Sequence, residues 1–196
     1  YTPETVVFDL KTQFDTNCES DPTRCYLPVN YDGKYRGPIS LRSALAQSIN
    51  IPAIKVLYLA GIIDSIRTAK NMGIESLGDP NRYGLTLVLG GGEVSPLDMT
   101  SAYGVFAPEG VRHPAEKILR VEDASGAVLE SFEDRPQRVL EENIARTISN
   151  ILSDDVARSP TFGLGSLLRF PNYDVAAKTG TTNNYRDAWV IGYTPN

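Results

Sequence analysis

The feature that most limits how this chain can fold is a pair of apolar segments close to its carboxyl end. Residues 174–182, DVAAKTGTT, and residues 187–194, DAWVIGYT, have the composition of β-strands. Asn183-Asn184 lies between them and predicts a tight antiparallel turn. Because helical patterns fill the middle of the chain, we expect an α+β fold in which a helical cluster packs on an antiparallel sheet.

The chain is interpreted as one domain with three parts. Residues 1–37 are rich in turn-forming residues and are expected to be irregular. Residues 38–172 are expected to be mainly helical, with Ser40 as an N-cap, a hairpin over residues 117–132 and a loop over residues 153–172. Residues 173–196 hold the two terminal strands.

Composition excludes some classes of function. The 196 residues are 41% hydrophobic and 22% charged, which is typical of a globular domain with its own core. A net charge of −5 argues against nucleic acid as a partner. No run of about 18 apolar residues occurs, so no membrane segment is expected within the chain.

The two cysteines, Cys18 and Cys25, share a polar segment, NCESDPTRC. A local disulfide there would contribute about 2–3 kcal/mol in the chain-entropy model and would imply an oxidising compartment. Two unpaired surface cysteines are the alternative. We expect no metal site, because two thiolates and the single histidine, His113, make a poor ligand set. No cofactor is expected, because the LGGGE of residues 89–93 lacks the Gly-Lys-Ser/Thr of a phosphate loop.

The first candidate site is Lys178-Thr179-Gly180-Thr181. A lysine on a strand that borders a groove offers positive charge, and threonine hydroxyls can bind an anionic group. Gly180 would let a substrate backbone approach the strand, and the Thr181 N–H could face a developing oxyanion. In isolation the motif is a weak signal, and a surface lysine beside an edge turn is the alternative interpretation.

The second candidate site is QSIN, residues 47–50, between two predicted helices. The Ser48 hydroxyl could relay a proton, and the Asn50 amide could hold a substrate carbonyl. Small polar residues that end a helix are the alternative interpretation. Ser-x-Asn followed far downstream by Lys-Thr-Gly is the combination found in β-lactamases and penicillin-binding proteins.

Three blocks of the chain carry a wider resemblance: residues 30–57, residues 89–112 and residues 176–195. They resemble the transpeptidase domain of class A penicillin-binding proteins, the bifunctional peptidoglycan synthases. The last block is the most specific, with KTGTT followed by DAW and GYTP. The resemblance implies a β-lactamase/transpeptidase-like fold, which we expect to be incomplete at both ends of this chain.

The resemblance also implies a function and roles. The family cross-links D-Ala-D-Ala stem peptides of peptidoglycan through an acyl-serine and binds β-lactams, outside the cytoplasmic membrane and in membrane-anchored proteins. By resemblance Ser48, Asn50 and Lys178 are the catalytic candidates. The substrate-binding candidates are Thr179, Gly180, Thr181 and Thr182.

The family's nucleophile is a serine in Ser-x-x-Lys, and this motif is absent from the 196 residues. The residues three positions before the six lysines are Phe8, Tyr31, Pro52, Arg67, Pro114 and Val175. We expect the serine to lie upstream of Tyr1 and the chain alone to be inactive, because such residues act as a unit.

Two other functions stay open. One is a D,D-carboxypeptidase or β-lactamase, which uses water as the acceptor. The other is a non-catalytic scaffold that binds peptidoglycan and has lost the serine.

Overall fold

The protein is described by a computed structural model that covers residues 1–182 and 186–194. The predicted turn at Asn183-Asn184 lies outside the described residues. The α-helices are α1 (Leu41–Ala46), α2 (Asn50–Ala60), α3 (Ile62–Asn71), α4 (Pro96–Gly104), α5 (Glu142–Leu152) and α6 (Asp155–Phe162). Short 3-10 helices cover Pro22–Arg24, Pro80–Arg82 and Gly84–Leu89.

All strand pairs in the described part of the chain are antiparallel and two-stranded. The strands are β1 (Val6–Asp9), β2 (Gly37–Ser40), β3 (Val111–Arg112), β4 (Arg120–Glu122), β5 (Val128–Ser131), β6 (Gln137–Arg138), β7 (Ala176–Thr181) and β8 (Ala188–Tyr193). They pair as β1–β2, β3–β6, β4–β5 and β7–β8. The α+β class with antiparallel strands and the hairpin over residues 117–132 are therefore confirmed, and the described strands form four separate pairs.

Residues 1–37 are not wholly irregular, because β1 and a 3-10 helix lie within them. Strand β1 is not predicted from the sequence, because its partner β2 follows about 30 residues later. In this pair Val7 lies opposite Ile39. The pairing supplies hydrogen bonds that a four-residue segment cannot make alone. Contacts distant in sequence therefore create this strand.

Residues 153–172 were expected to form a loop, but α6 begins at Asp155. Pro160 lies inside this helix, although proline removes an N–H from the helix interior. A side chain replaces the lost hydrogen bond. In a regular helix the Val156 carbonyl would accept from the N–H of residue 160, which proline lacks; here it accepts from the Ser159 hydroxyl at 2.8 Å. The Asp154 carboxylate caps the first turn by accepting from the Ala157 N–H.

Cys18 and Cys25 are joined by a disulfide in the structure, with Cα atoms 4.6 Å apart. Within the described ranges, no cluster of His, Cys, Asp and Glu is suited to hold a metal ion. None of the helices described here is long and apolar enough to cross a membrane.

The core beneath the α1–α2 connection fixes where the candidate site lies. Ile39, Ala44 and Ile49 form a buried cluster, with Val7 packed against it. Ile51 and Ile54 of α2 are fully buried as well. The bend that carries Ser48 is therefore flanked on both sides by residues anchored in the core.

Candidate active site

Ser48 occupies a strained turn between α1 and α2. Its φ is +61°, which is uncommon for a residue other than glycine. The Ser48 N–H donates to the Leu45 carbonyl at 3.2 Å, and the Ile49 N–H donates to the Ala44 carbonyl at 2.9 Å. This is the Schellman pattern of a helix end, in which glycine usually takes the left-handed position. A serine there costs about 1 kcal/mol, so its hydroxyl is a candidate for a functional role.

Lys178 brings the two sequence motifs together. It lies in β7 opposite Ile191 of β8. Its Nζ donates to the Ser48 Oγ at 2.7 Å, across 130 positions of sequence, and to the Thr179 carbonyl oxygen at 2.8 Å. The predicted catalytic serine and lysine thus form a direct hydrogen bond.

The ammonium group of Lys178 is perturbed by its surroundings. Burial disfavours the charged form, and the positive charge of Arg158 adds to the effect, so the pKa of Lys178 falls from 10.5 to about 8. A group with a pKa this close to neutral can both hold and release a proton at physiological pH. The Lys178–Ser48 pair is therefore suited to proton transfer.

Arg158 is a functional candidate that sequence reasoning missed, since it lies in α6, where a loop was expected. Its side chain is 2% exposed. The guanidinium donates to the Leu152 carbonyl and, at 3.3 Å, to the carbonyl of Ala177, the residue before Lys178. Over residues 1–182 and 186–194, no carboxylate forms an ion pair with it. Arg158 thus places an uncompensated positive charge behind β7, close to Lys178.

Asn50 is the first residue of α2, and its side chain is already partly engaged. Its Nδ2 donates to the Val29 carbonyl at 2.9 Å. No other hydrogen bond of this amide is found among the described residues. One N–H and the Oδ1 are therefore left for a ligand.

The remaining predicted residues follow the alternation of β7. Successive side chains of a strand point to opposite faces, so Thr179 and Thr181 share one face and Lys178 lies on the other. In the described part of the chain β7 pairs only with β8, and its second edge is unpaired. Gly180 is exposed, and an added Cβ would meet nothing closer than 3.9 Å.

Thr182 lies apart from this group, at the base of the β7–β8 connection. Its Oγ1 accepts a hydrogen bond from the Asp187 N–H at 2.8 Å and lies 3.3 Å from the Asp187 carboxylate. The hydroxyl is thus committed to the hairpin. The structure gives the Thr182 side chain a contact within the hairpin, and over the described residues no hydrogen bond joins its hydroxyl to another predicted site residue.

Comparison with known proteins identifies the family to which this chain is similar. The profile of the penicillin binding protein transpeptidase domain matches residues 6–196. Penicillin-binding protein 1A of Neisseria flavescens is 34% identical over 179 residues, which cover 88% of this chain and 22% of that protein. Penicillin-binding protein 1A of Aquifex aeolicus is 35% identical over 170 residues, covering 87% of this chain and 22% of that protein.

Solved structures show the same fold. Penicillin-binding protein 1A from Haemophilus influenzae superposes with a TM-score of 0.76 at 22% identity, covering 98% of this chain and 33% of that one. The PonA1 protein from Mycobacterium tuberculosis in complex with penicillin V gives a TM-score of 0.76 at 24% identity, covering 99% of this chain and 52% of that one. The transpeptidase-like fold expected from the resemblance is therefore confirmed.

The match extends over nearly the whole chain but only part of each relative. The chain spans 22% of the length of these two curated relatives. A family profile that matches all but the first five residues, together with relatives more than 30% identical, settles the assignment. This chain belongs to the penicillin-binding protein transpeptidase domain family.

Proposed function

We propose that this chain is part of a serine-type D,D-transpeptidase that cross-links peptidoglycan stem peptides and is acylated by β-lactams. The observation that carries the proposal is the hydrogen bond of 2.7 Å between Lys178 Nζ and Ser48 Oγ. It joins two motifs that the sequence separates by 130 positions, and it supplies a proton path beside an unpaired strand edge. The nucleophilic serine lies outside these 196 residues in this proposal.

The reaction begins when that serine attacks the carbonyl carbon of the D-Ala-D-Ala bond. The hydroxyl proton of that serine passes to the lysine of its own Ser-x-x-Lys motif. The C–N bond breaks, an ester forms on the serine Oγ, and D-alanine leaves as an amine. Ser48 Oγ passes the proton that this amine needs, and Lys178 replenishes it, which its pKa of about 8 permits. An amine of a second stem peptide then attacks the ester and loses a proton to Ser48 and Lys178, which restores the proton they gave up. The C–O bond of the ester breaks, and the serine recovers its proton from the lysine of its motif.

Binding of the donor peptide uses the unpaired edge of β7. An extended peptide can pair with such an edge, and Gly180 leaves room for its backbone. Thr179 and Thr181 receive the terminal carboxylate, and the Thr181 N–H forms half of the oxyanion hole. Lys178, on the opposite face of β7, acts through its hydrogen bond to Ser48. Asn50 holds the donor peptide with its remaining N–H.

The family supports a proposal for the setting of the reaction. The relatives matched include penicillin-binding protein 1A of two bacteria, and we place the reaction in the bacterial cell envelope, on the extracytoplasmic side. The disulfide between Cys18 and Cys25 supports an oxidising compartment. The partners are D-Ala-D-Ala stem peptides, β-lactams and the part of the domain that carries the nucleophile, in a membrane-anchored protein.

Intact mass after incubation with penicillin tests the proposal. We expect one covalent adduct on the full product of the reading frame that contains these residues, and none on the 196-residue chain alone. Absence of an adduct on both would favour the non-catalytic scaffold. An adduct on the short chain would place the nucleophile within these residues and refute its assignment elsewhere.

A second measurement separates the transpeptidase from hydrolases of the same fold. The full-length protein is acylated by a D-Ala-D-Ala stem peptide and supplied with a D-amino acid as an amine acceptor. The products are identified by mass. A transpeptidase forms the new amide, whereas a D,D-carboxypeptidase or β-lactamase releases only the hydrolysed acid. Ser48→Ala should slow acylation without abolishing the adduct, which distinguishes a proton relay from the nucleophile.

A further inference from the structure

Two buried polar side chains lie behind the first turn of α2. Asp9, at the end of β1, has no exposed surface, and Asn30 is 2% exposed. Asn30 Nδ2 donates to both carboxylate oxygens of Asp9, at 2.8 and 2.9 Å, and to the Lys34 carbonyl at 2.7 Å. The Asp9 carboxylate also accepts from the Arg36 N–H at 2.9 Å. Every polar atom of the pair thus has a partner, as buried groups require.

This pair is connected to the candidate site through two hydrogen bonds. Asn30 Oδ1 accepts from the Ile51 N–H at 3.2 Å, and the preceding carbonyl, of Val29, accepts from Asn50 Nδ2 at 2.9 Å. Helix N-termini leave their first amides without partners within the helix. Ile49, the residue before α2, supplies no side-chain cap. Asn30 therefore caps a helix that its own sequence leaves uncapped.

Stability alone is a poor reason for this arrangement. Burying a carboxylate has a large desolvation cost, and the guanidinium of Arg36 stays 3.9 Å from it. An apolar pair of similar volume would often be as stable or more stable. What the polar pair provides is direction, because Asp9 of β1 holds the Asn30 amide and the Oδ1 of that amide holds the Ile51 N–H of α2.

We propose that Asp9 and Asn30 are positioning residues for the Ser48–Asn50 bend. Asp9 orients the Asn30 amide, Asn30 fixes the first turn of α2, and the Val29 carbonyl sets which end of the Asn50 amide faces a ligand. The inference rests on the proposed function, since the property positioned is the geometry for acylation. A displacement of about 1 Å at such a site can reduce a rate about a hundredfold.

The test measures acylation of the full-length protein by a fluorescent penicillin over time. The final amplitude reports the fraction of folded, reactive molecules, whereas the rate constant reports the geometry of the site. We expect Asp9→Asn and Asn30→Asp each to lower the rate constant at least about tenfold. The double variant D9N/N30D restores an amide–carboxylate pair, so its rate constant should exceed that of either single variant.

Leu77→Ala is the matched control. Leu77 is 4% exposed and belongs to a buried cluster with Ile66 and Tyr83, which is distinct from the cluster beneath the bend. Its truncation should lower the melting temperature and leave the rate constant unchanged. If Asp9→Asn yields no folded protein, Asn30→Ser, which shortens the side chain without adding charge, is measured in the same way.

Three outcomes oppose the inference or its premise. Rate constants within about twofold of wild type, with reduced amplitude, would make the pair structural only. A double variant slower than both single variants would show that the two residues do not act as a pair. If wild-type protein forms no adduct, the proposed function fails, which is distinguishable from failure of the positioning role.

Discussion

The titration of Lys178 leads to a prediction about stability. Its pKa is about 8 in the folded protein against an ordinary value of 10.5. Below the folded value the amine is charged in both states, and the folded state bears the full cost of burying that charge. As the pH rises through 8, the folded protein loses the proton while the unfolded chain keeps it. Stability therefore increases with pH in this window.

The expected magnitude follows from the two pKa values. Between about pH 7.5 and about pH 9.5, linkage predicts that the free energy of unfolding rises by about 2 kcal/mol because of Lys178 alone. Burial raises the pKa of Tyr26, Tyr103 and Tyr193, so these residues remain protonated in this window. They contribute little to the change.

Urea unfolding of the full-length protein, followed by circular dichroism at both pH values, provides the assay. Lys178→Met is the matched variant, because it keeps the length of the side chain and removes the titrating group. The difference between wild type and variant in their pH dependence cancels the contribution of all other groups. Equal pH dependence of the two, within about 0.5 kcal/mol, would show that Lys178 is not buried as a charge and would refute the reasoning.

Two further predictions concern the neighbours of this lysine. Ser48→Gly should make the protein about 1 kcal/mol more stable than Ser48→Ala in denaturant melts, because only glycine adopts a φ of +61° without strain. Both variants should slow penicillin acylation. Equal stabilities of the two variants would contradict backbone strain at Ser48. Arg158→Met removes a positive charge that lowers the pKa of Lys178, so this pKa should rise. The part of the pH–rate profile of acylation that reports Lys178 should then shift to higher pH. Arg158→Lys should shift it less, and an unchanged profile in both variants would separate Arg158 from the titration of Lys178.

The two predicted motifs could be read from the sequence because their chemistry depends on residue types at short spacing. Ser48 and Asn50 are two residues apart at a helix boundary, and Ser40 caps α1 as its position indicates. The strands that flank Asn183-Asn184 follow from apolar β-prone composition, and β7 and β8 have these bounds. Local signals of this kind need no knowledge of distant contacts.

Arg158 and Asn30 could not be recognised in the same way. Arg158 belongs to a segment that contains Pro160, and only the hydroxyl of Ser159 and the Asp154 cap show how a helix forms there. The sequence around Asn30 predicts a turn, and in the structure Asn30 is its first residue, with the Gly33 N–H donating to the Asn30 carbonyl. Its contacts to Asp9 and Ile51 lie 21 residues away on either side, beyond any local pattern.

By itself, the sequence determined the α+β class, the family and the residue types available for chemistry. The tertiary structure decided which of them meet. It joined Lys178 to Ser48, committed the Thr182 hydroxyl to the hairpin, and placed Arg158 behind β7. The physical reason is that hydrogen bonds and pKa shifts act over a few ångströms, whereas the partners lie up to 130 positions apart and are brought together only by packing.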